Sequence, residues 1–270
     1  MPILADVTAA AERLWPSAGT EAWDAPGLLA GRPADVVTRI HLAVDATLAT
    51  AEEAVAAGAQ LLLVHHPLLL RGVTALAEDR YKGAVMGTLI RGGCALLAAH
   101  TNADVVRTGT SAALAARLGL VDAQPIVPGA QPDHGLGRVG YLPAPMTLRE
   151  LADLVSAAIP ATASGVRVSG DPDLTVRRVA LCAGAGDSLL ENAAVRSADV
   201  YLTSDLRHHP ASEASENAAV GGGPALIDIS HWAAESLWLD LAADELRTAL
   251  PGIEVVVSRL STDPWTFRVD

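Results

Sequence analysis

The chain of 270 residues is short of several residue types, and each shortage excludes something. Lysine occurs once, at Lys82, so arginine carries almost all of the positive charge. A net charge of −12 and the absence of a basic run weigh against sequence-independent binding to nucleic acid or an anionic membrane face, which needs a Lys/Arg patch. Only two cysteines are present, Cys94 and Cys182, far apart and outside any Cys-x-x-Cys pattern. That argues against a disulfide framework or a zinc–thiolate site and points to a reducing compartment. Aromatic residues make up 3%, so the core must come from Ala, Val, Leu and Ile, which the 50% hydrophobic content supplies. No apolar run approaches the roughly 20 residues of a membrane span. The N-terminus has no basic stretch followed by an apolar one; Val7, Ala11, Leu14 and Trp15 instead fall at helical spacing. A cytoplasmic, soluble protein is expected.

What is present is an alternation of short apolar runs and helical patterns. Strands are expected at 36–44, 61–64, 94–99, 137–142, 165–169, 176–182, 199–203, 224–229 and 253–260. Helices are expected at 3–15, 48–58, 82–92, 110–118, 147–158, 188–196, 211–219 and 232–249. This order argues for α/β layering. The stretch 121–137, rich in Pro, Gly and polar residues, reads as a linker. Two α/β lobes follow: residues 1–125 completed by 224–270, and residues 126–223.

The lobes read as copies of one another. Residues 38–66 lie over 177–205 without a gap, at an offset of 139, matching Arg39 with Arg178, Leu42 with Leu181, Glu52 with Glu191 and Leu63 with Leu202. The next strand repeats as well: "ALLAAHTNAD" (95–104) resembles "ALIDISHWAAE" (225–235) with one extra residue. Each copy ends a strand in polar residues, His65-His66 in the first and Ser204-Asp205 in the second.

Those strand ends carry the chemistry. Loops at the C-terminal ends of strands in an α/β sheet project into a crevice where ligands bind. His100 with Asp104, and His231 with Glu235, are spaced i, i+4, which puts each pair on one helical face. Imidazole and carboxylate suit Zn, Mn or Fe. Six donors, His65, His66, His100, Asp104, His231 and Glu235, exceed the needs of one tetrahedral ion and suit two, lying in the crevice between the lobes. The ordinary alternative is that each histidine is a surface or hydrogen-bonded residue, which is the reading given to His41 (structural) and His134 (solvent-exposed). Arg207, His208 and His209 lie either in a substrate-contacting loop, where Arg207 could grip a phosphate, or in a solvated one. "AGAGDS" (183–188) reads as a tight turn. No Gly-x-Ser-x-Gly context supports a serine nucleophile.

These residues resemble a known family, the dinuclear-metal-centre hexameric proteins, also called GTP cyclohydrolase I type 2 homologues or Nif-three-like proteins. The matching motifs are Trp23-Asp24 with Gly27-Leu28-Leu29 and Gly31, "VHHP" (64–67), "HTNAD" (100–104), "GLGRVG" (135–140), "TSDL" (203–206) and "SHWAAE" (230–235). The resemblance covers essentially the whole chain. It implies the same six metal ligands and a homo-hexamer. Ala25, Ser204 and Ser230 depart from the family pattern, and none of them is a ligand position. The expected activity is metal-dependent hydrolysis of a nucleotide or phosphorylated small molecule, GTP cyclohydrolase-like or phosphoesterase. In it Glu235 or Asp104 would also relay protons. A non-catalytic hexamer for metal storage, sensing or scaffolding would use the same ligands.

Overall fold

A computed structural model describes residues 1–269. By Cα proximity the chain divides into two units, Met1–Val106 with Leu239–Thr262, and Arg107–Trp238 with Asp263–Asp270.

In the first unit, helix α1 (Leu4–Leu14) buries Leu4, Val7, Ala10 and Ala11, the 3–4 spacing of a one-sided helix. Strands β1 (Gly27–Ala30), β2 (Arg39–Asp45), β3 (Leu61–His66) and β4 (Ala95–Ala98) alternate with α2 (Leu48–Ala56) and α3 (Tyr81–Arg91), and one helical turn, α4 (Thr101–Asp104), follows β4. The last strand of the chain, β13 (Glu254–Val257), completes a sheet of order β1-β4-β3-β2-β13. All of its pairings are parallel except β1 with β4. The near-continuous aliphatic content of β2 and β3 follows from burial on both faces.

The second unit begins with α5 (Thr110–Arg117) and contains β5 (Val121–Gln124), a small ladder of β6 (Val127–Pro128) with β7 (Gly135–Leu136), β8 (Arg138–Thr147), α6 (Leu148–Ala158), β9 (Arg167–Ser169) and β10 (Thr175–Ala185). It continues through α7 (Ala193–Arg196), β11 (Val200–Ser204), α8 (His208–Gly221) and β12 (Ala225–Ile229) to helix α9 (His231–Ala249). Its sheet runs β5-β8-β10-β11-β12-β9, with β10, β11 and β12 parallel. Thr147 and Glu150 start α6 with a reciprocal cap: each side chain accepts from the other's backbone N–H, at 2.7 and 3.2 Å.

The duplication is visible in the register. Ile40 pairs with Leu61 and Leu42 with Leu63 in the first unit; Val179 pairs with Val200 and Leu181 with Leu202 in the second, the same pairs displaced by 139. Gln60 Oε1 accepts the N–H groups of Thr38 and Arg39, and Asp199 Oδ2 accepts those of Arg177 and Arg178. The two copies therefore close the start of the strand pair in the same way. The chain is a mixed α/β protein of two similar lobes.

Several expectations are corrected. The helix expected at 188–196 is a 3-10 turn, Asp187–Leu189, followed by α7, because the Asn192 side chain accepts from Ala194 N at 2.8 Å and starts a new helix there. The stretch read as a linker, 121–137, carries β5, β6 and β7 and buries Ile126. Residues 27–30, for which no strand was expected, form an edge strand too short to show a period of two. Helix α8 starts three residues earlier than expected, since Pro210 lies in its first turn, where a missing N–H costs nothing. His134 is half-buried rather than fully exposed.

The core under β3 and β4 packs Leu62, Val64, Leu89 and Leu96 with no exposure. Leu62→Ala is expected to destabilise the protein by about 2–5 kcal/mol, read as a lower urea midpoint at an unchanged slope.

Candidate metal centre

The first unit gathers His65, His66 and His100 at adjacent strand ends. His65 and His66 close β3, and His100 follows β4, the strand beside it. The ring centroids lie 5.0, 5.1 and 5.4 Å apart for the three pairs. One ligand nitrogen from each ring falls within 4.8 Å of the other two. His65 is fully buried, while His66 and His100 are partly exposed. The Nε2 of His65 faces Asp104 Oδ1 at 3.5 Å. Two ligands about 2.1 Å from one tetrahedral ion stand about 3.4 Å apart, so this spacing suits joint coordination.

Each imidazole is held at Nδ1 by a group that can only accept. His65 Nδ1 donates to Ala99 O at 2.8 Å, His66 Nδ1 to Asp45 Oδ1 at 2.7 Å, and His100 Nδ1 to Asp24 Oδ1 at 2.8 Å. In the second unit His231 Nδ1 donates to Asp205 Oδ2 at 2.7 Å. A hydrogen on Nδ1 puts the lone pair of a neutral ring on Nε2, the arrangement that metal-binding histidines adopt. The anchors are themselves fixed. Asp24 also accepts from Thr101 N at 3.0 Å and Thr101 Oγ1 at 2.5 Å, and Asp45 accepts from Thr262 Oγ1.

In the second unit, the first turn of α9 places His231 Nε2 2.9 Å from Glu235 Oε1, with Glu235 only 3% exposed. Gly184, at φ +81°, leaves the space for this pair: a Cβ there would lie 2.5 Å from Glu235 Oε1 and 3.2 Å from His231 Nε2. In the repeat, Gly184 occupies the position of Asp45.

The electrostatics differ between the two sets. Burial and the neighbouring His65 push His100 below the ordinary histidine value, against the pull of Asp24. Burial opposes ionisation of Asp24, but hydrogen bonds from His100 and Thr101 outweigh it and hold the carboxyl below its usual range. Burial also works against a charged His231, yet Glu235 and Asp205 prevail and raise it to about 11. The charged form of His231 is therefore favoured, with its Nε2 2.9 Å from Glu235 Oε1.

Of the six residues singled out by pattern, the structure brings His65, His66 and His100 together in one unit, with Asp104 beside His65, and sets His231 against Glu235 in the other. The anchors Asp24 and Asp45 and the space at Gly184 were not identified from sequence. Asp24 stood in a family motif, and no role as an anchor was read for it. Arg207 lies 2.5 Å from Asp187 Oδ2 as an exposed ion pair, and His208 and His209 are exposed in the first turn of α8. His41 is buried and bonded to Glu53 at 2.9 Å, a structural contact.

An α/β chain of two lobes with imidazoles and carboxylates at its strand ends defines a class of proteins whose donor groups could bind a metal ion. The profile of the Duf34/NIF3 (NGG1p interacting factor 3) family matches residues 2–264, and the chain belongs to that family. A Streptomyces coelicolor protein is 46% identical, with the alignment covering 100% of this chain and 95% of the relative. A Mycobacterium leprae protein is 36% identical, covering 98% and 95%. Both carry the name GTP cyclohydrolase 1 type 2 homolog. Among solved structures, a Staphylococcus aureus protein is 27% identical with a TM-score of 0.87 over 98% of this chain and 99% of that one. A Bacillus cereus protein related to NIF3 shares the fold at a TM-score of 0.88 and 22% identity, over 99% of both chains. Among the described residues no helix is long and apolar enough to cross a membrane.

Two predictions follow from this geometry. Gly184→Ala pushes a methyl group against Glu235, so Zn2+ affinity measured by competition with a chromophoric chelator is expected to fall about 10- to 100-fold, with circular dichroism unchanged. His231 is raised from 6.5 to about 11, so its contribution to stability is fully present below pH 6.5 and is lost as pH rises towards 11. Metal-free wild type is therefore expected to lose more stability than His231→Gln when urea unfolding is compared at about pH 7 and about pH 10.

Proposed function

We propose that His65, His66, His100, Asp104, His231 and Glu235 hold two divalent transition-metal ions, Zn, Mn or Fe, in a homo-hexameric metal-dependent hydrolase. Its substrate is a nucleotide or another phosphorylated small molecule. The observation that carries this reading is the anchoring of all four imidazoles at Nδ1, which presents four Nε2 atoms as donors. In this assignment His65, facing Asp104, and His66, turned by Asp45, serve different ions. Bound metal would supply an activated water and a positive charge to stabilise the oxygens of a displacement at phosphorus or carbon.

The residues of the chain do the rest. The Nδ1 anchors hold the rings in one orientation without reorganisation. Asp104 and Glu235 are the carboxylates placed against an Nε2, so they are also the groups able to take up and release a proton. Opening of a purine ring, as the relatives' shared name suggests, and phosphoester cleavage are both compatible with this arrangement.

One observation favours a second reading. Asp24, Asp45 and Asp205 are already committed to holding imidazoles, so none of these three carboxylates stands ready as a separate general acid. A metal-storing or metal-sensing hexamer would use the same residues. The readings separate by turnover. Purified protein, loaded with Mn2+ or Zn2+ and of hexameric mass by light scattering, is expected to process GTP or a model phosphodiester. The His66→Ala/Glu235→Ala double variant is expected to fall to the metal-free rate. Equal rates in both proteins would leave storage or sensing as the function, and metal content well below one per chain after reloading would remove both.

A further inference from the structure

Trp23 is an exposed aromatic in a chain that has few of them. Its side chain is 60% exposed, whereas Trp15 and Trp238 are buried. The indole meets the His100 ring edge-to-face, with centroids 5.7 Å apart and planes at 79°. A residue this exposed and apolar is usually mobile or packed against a neighbour, but the backbone on both sides of Trp23 is fastened to the metal-donor segment. Glu21 N donates to Thr101 Oγ1 at 3.0 Å, and Asp24 N donates to Glu21 O at 3.0 Å. Asp24 Oδ1 receives His100 Nδ1 at 2.8 Å and Asp24 Oδ2 receives Thr101 N at 3.0 Å. The same carboxylate that orients a donor histidine therefore fixes the position of the indole.

We propose that Trp23 is a stacking platform that selects substrates with a planar aromatic ring, of which a nucleobase is the chemical type. This rests on the reading of the centre as a site for phosphorylated small molecules. With 60% of Trp23 exposed, much of the indole stays open to solvent. A ring laid on it would lie beside His100, whose ring centroid is 5.7 Å from that of the indole. Preorganisation lowers the entropic cost of that contact. Stacking on an aromatic side chain tolerates different bases, since each has a π-face, so Trp23 would choose aromatic over non-aromatic phosphates rather than one base over another.

The test uses two probes with the same ribose and phosphate, GMP and ribose 5-phosphate, titrated calorimetrically into the metal-loaded full chain. Wild type is expected to bind GMP more tightly. Trp23→Ala is expected to weaken GMP by about 5- to 150-fold while leaving ribose 5-phosphate unchanged, and Trp23→Phe to recover most of the loss. Trp265→Ala removes an exposed tryptophan of the C-terminal segment and is expected to change neither probe. Equal binding of both probes by wild type, or no change in GMP binding in Trp23→Ala, overturns the proposal. A fall in oligomeric mass of Trp23→Ala with probe affinities intact also overturns it, by identifying the indole as a subunit contact. Loss of metal from wild type would instead be a failure of the metal reading, which elemental analysis of the same samples registers separately.

Discussion

A histidine that is to serve as a metal donor must have its other nitrogen occupied, and the placement of acceptors around this chain's imidazoles follows that constraint. Ala99 O, Asp45, Asp24 and Asp205 each take one Nδ1 hydrogen. The acceptors come from strand ends and the loops beyond them, where side chains leave the layered core. The parallel arrangement of β2, β3 and β4 puts Asp45, His66 and His100 at neighbouring C-terminal ends, so the sheet order itself assembles anchors and donors. An antiparallel pairing of β3 and β4 would send His65 and His100 to opposite ends of the sheet.

The strong negative charge of the chain has a local counterpart here. Carboxylates close to imidazoles bind the Nδ1 hydrogens, pull His231 towards the charged form and favour the arrival of a cation. His100 moves the other way, because burial and a second imidazole outweigh Asp24. The two imidazoles thus differ in their electrostatics, His100 favoured in the neutral form and His231 in the charged one.

Much of this was legible in the sequence. Long elements with a clear period, such as α1, α6 and α9, were found within a residue or two, and the duplicated strands β2, β3, β10 and β11 were aligned by a single offset. The six candidate residues were singled out because they sit in short local patterns, His-His and His-x3-carboxylate, at the ends of apolar runs. Their anchors were not. Asp24 lies 76 residues from His100, and Asp45 lies 21 from His66. No local pattern links such pairs; only the fold does. The broken helix at 187–196 was missed for a related reason: Asn192 is compatible with either a helix interior or a cap, and the choice depends on its tertiary surroundings.

The exchange of Asp45 for Gly184 between the copies has an evolutionary meaning. A duplicated half that kept an aspartate at the second position would bring a third carboxylate against Glu235, where Asp205 already stands close to His231. The lobes share a strand register, yet they have lost interchangeability: a chain assembled from two first copies would fold its strands correctly and crowd its own donors. The repeat supplies a shared scaffold, and the absence of a side chain at Gly184 makes the halves non-equivalent at their strand ends.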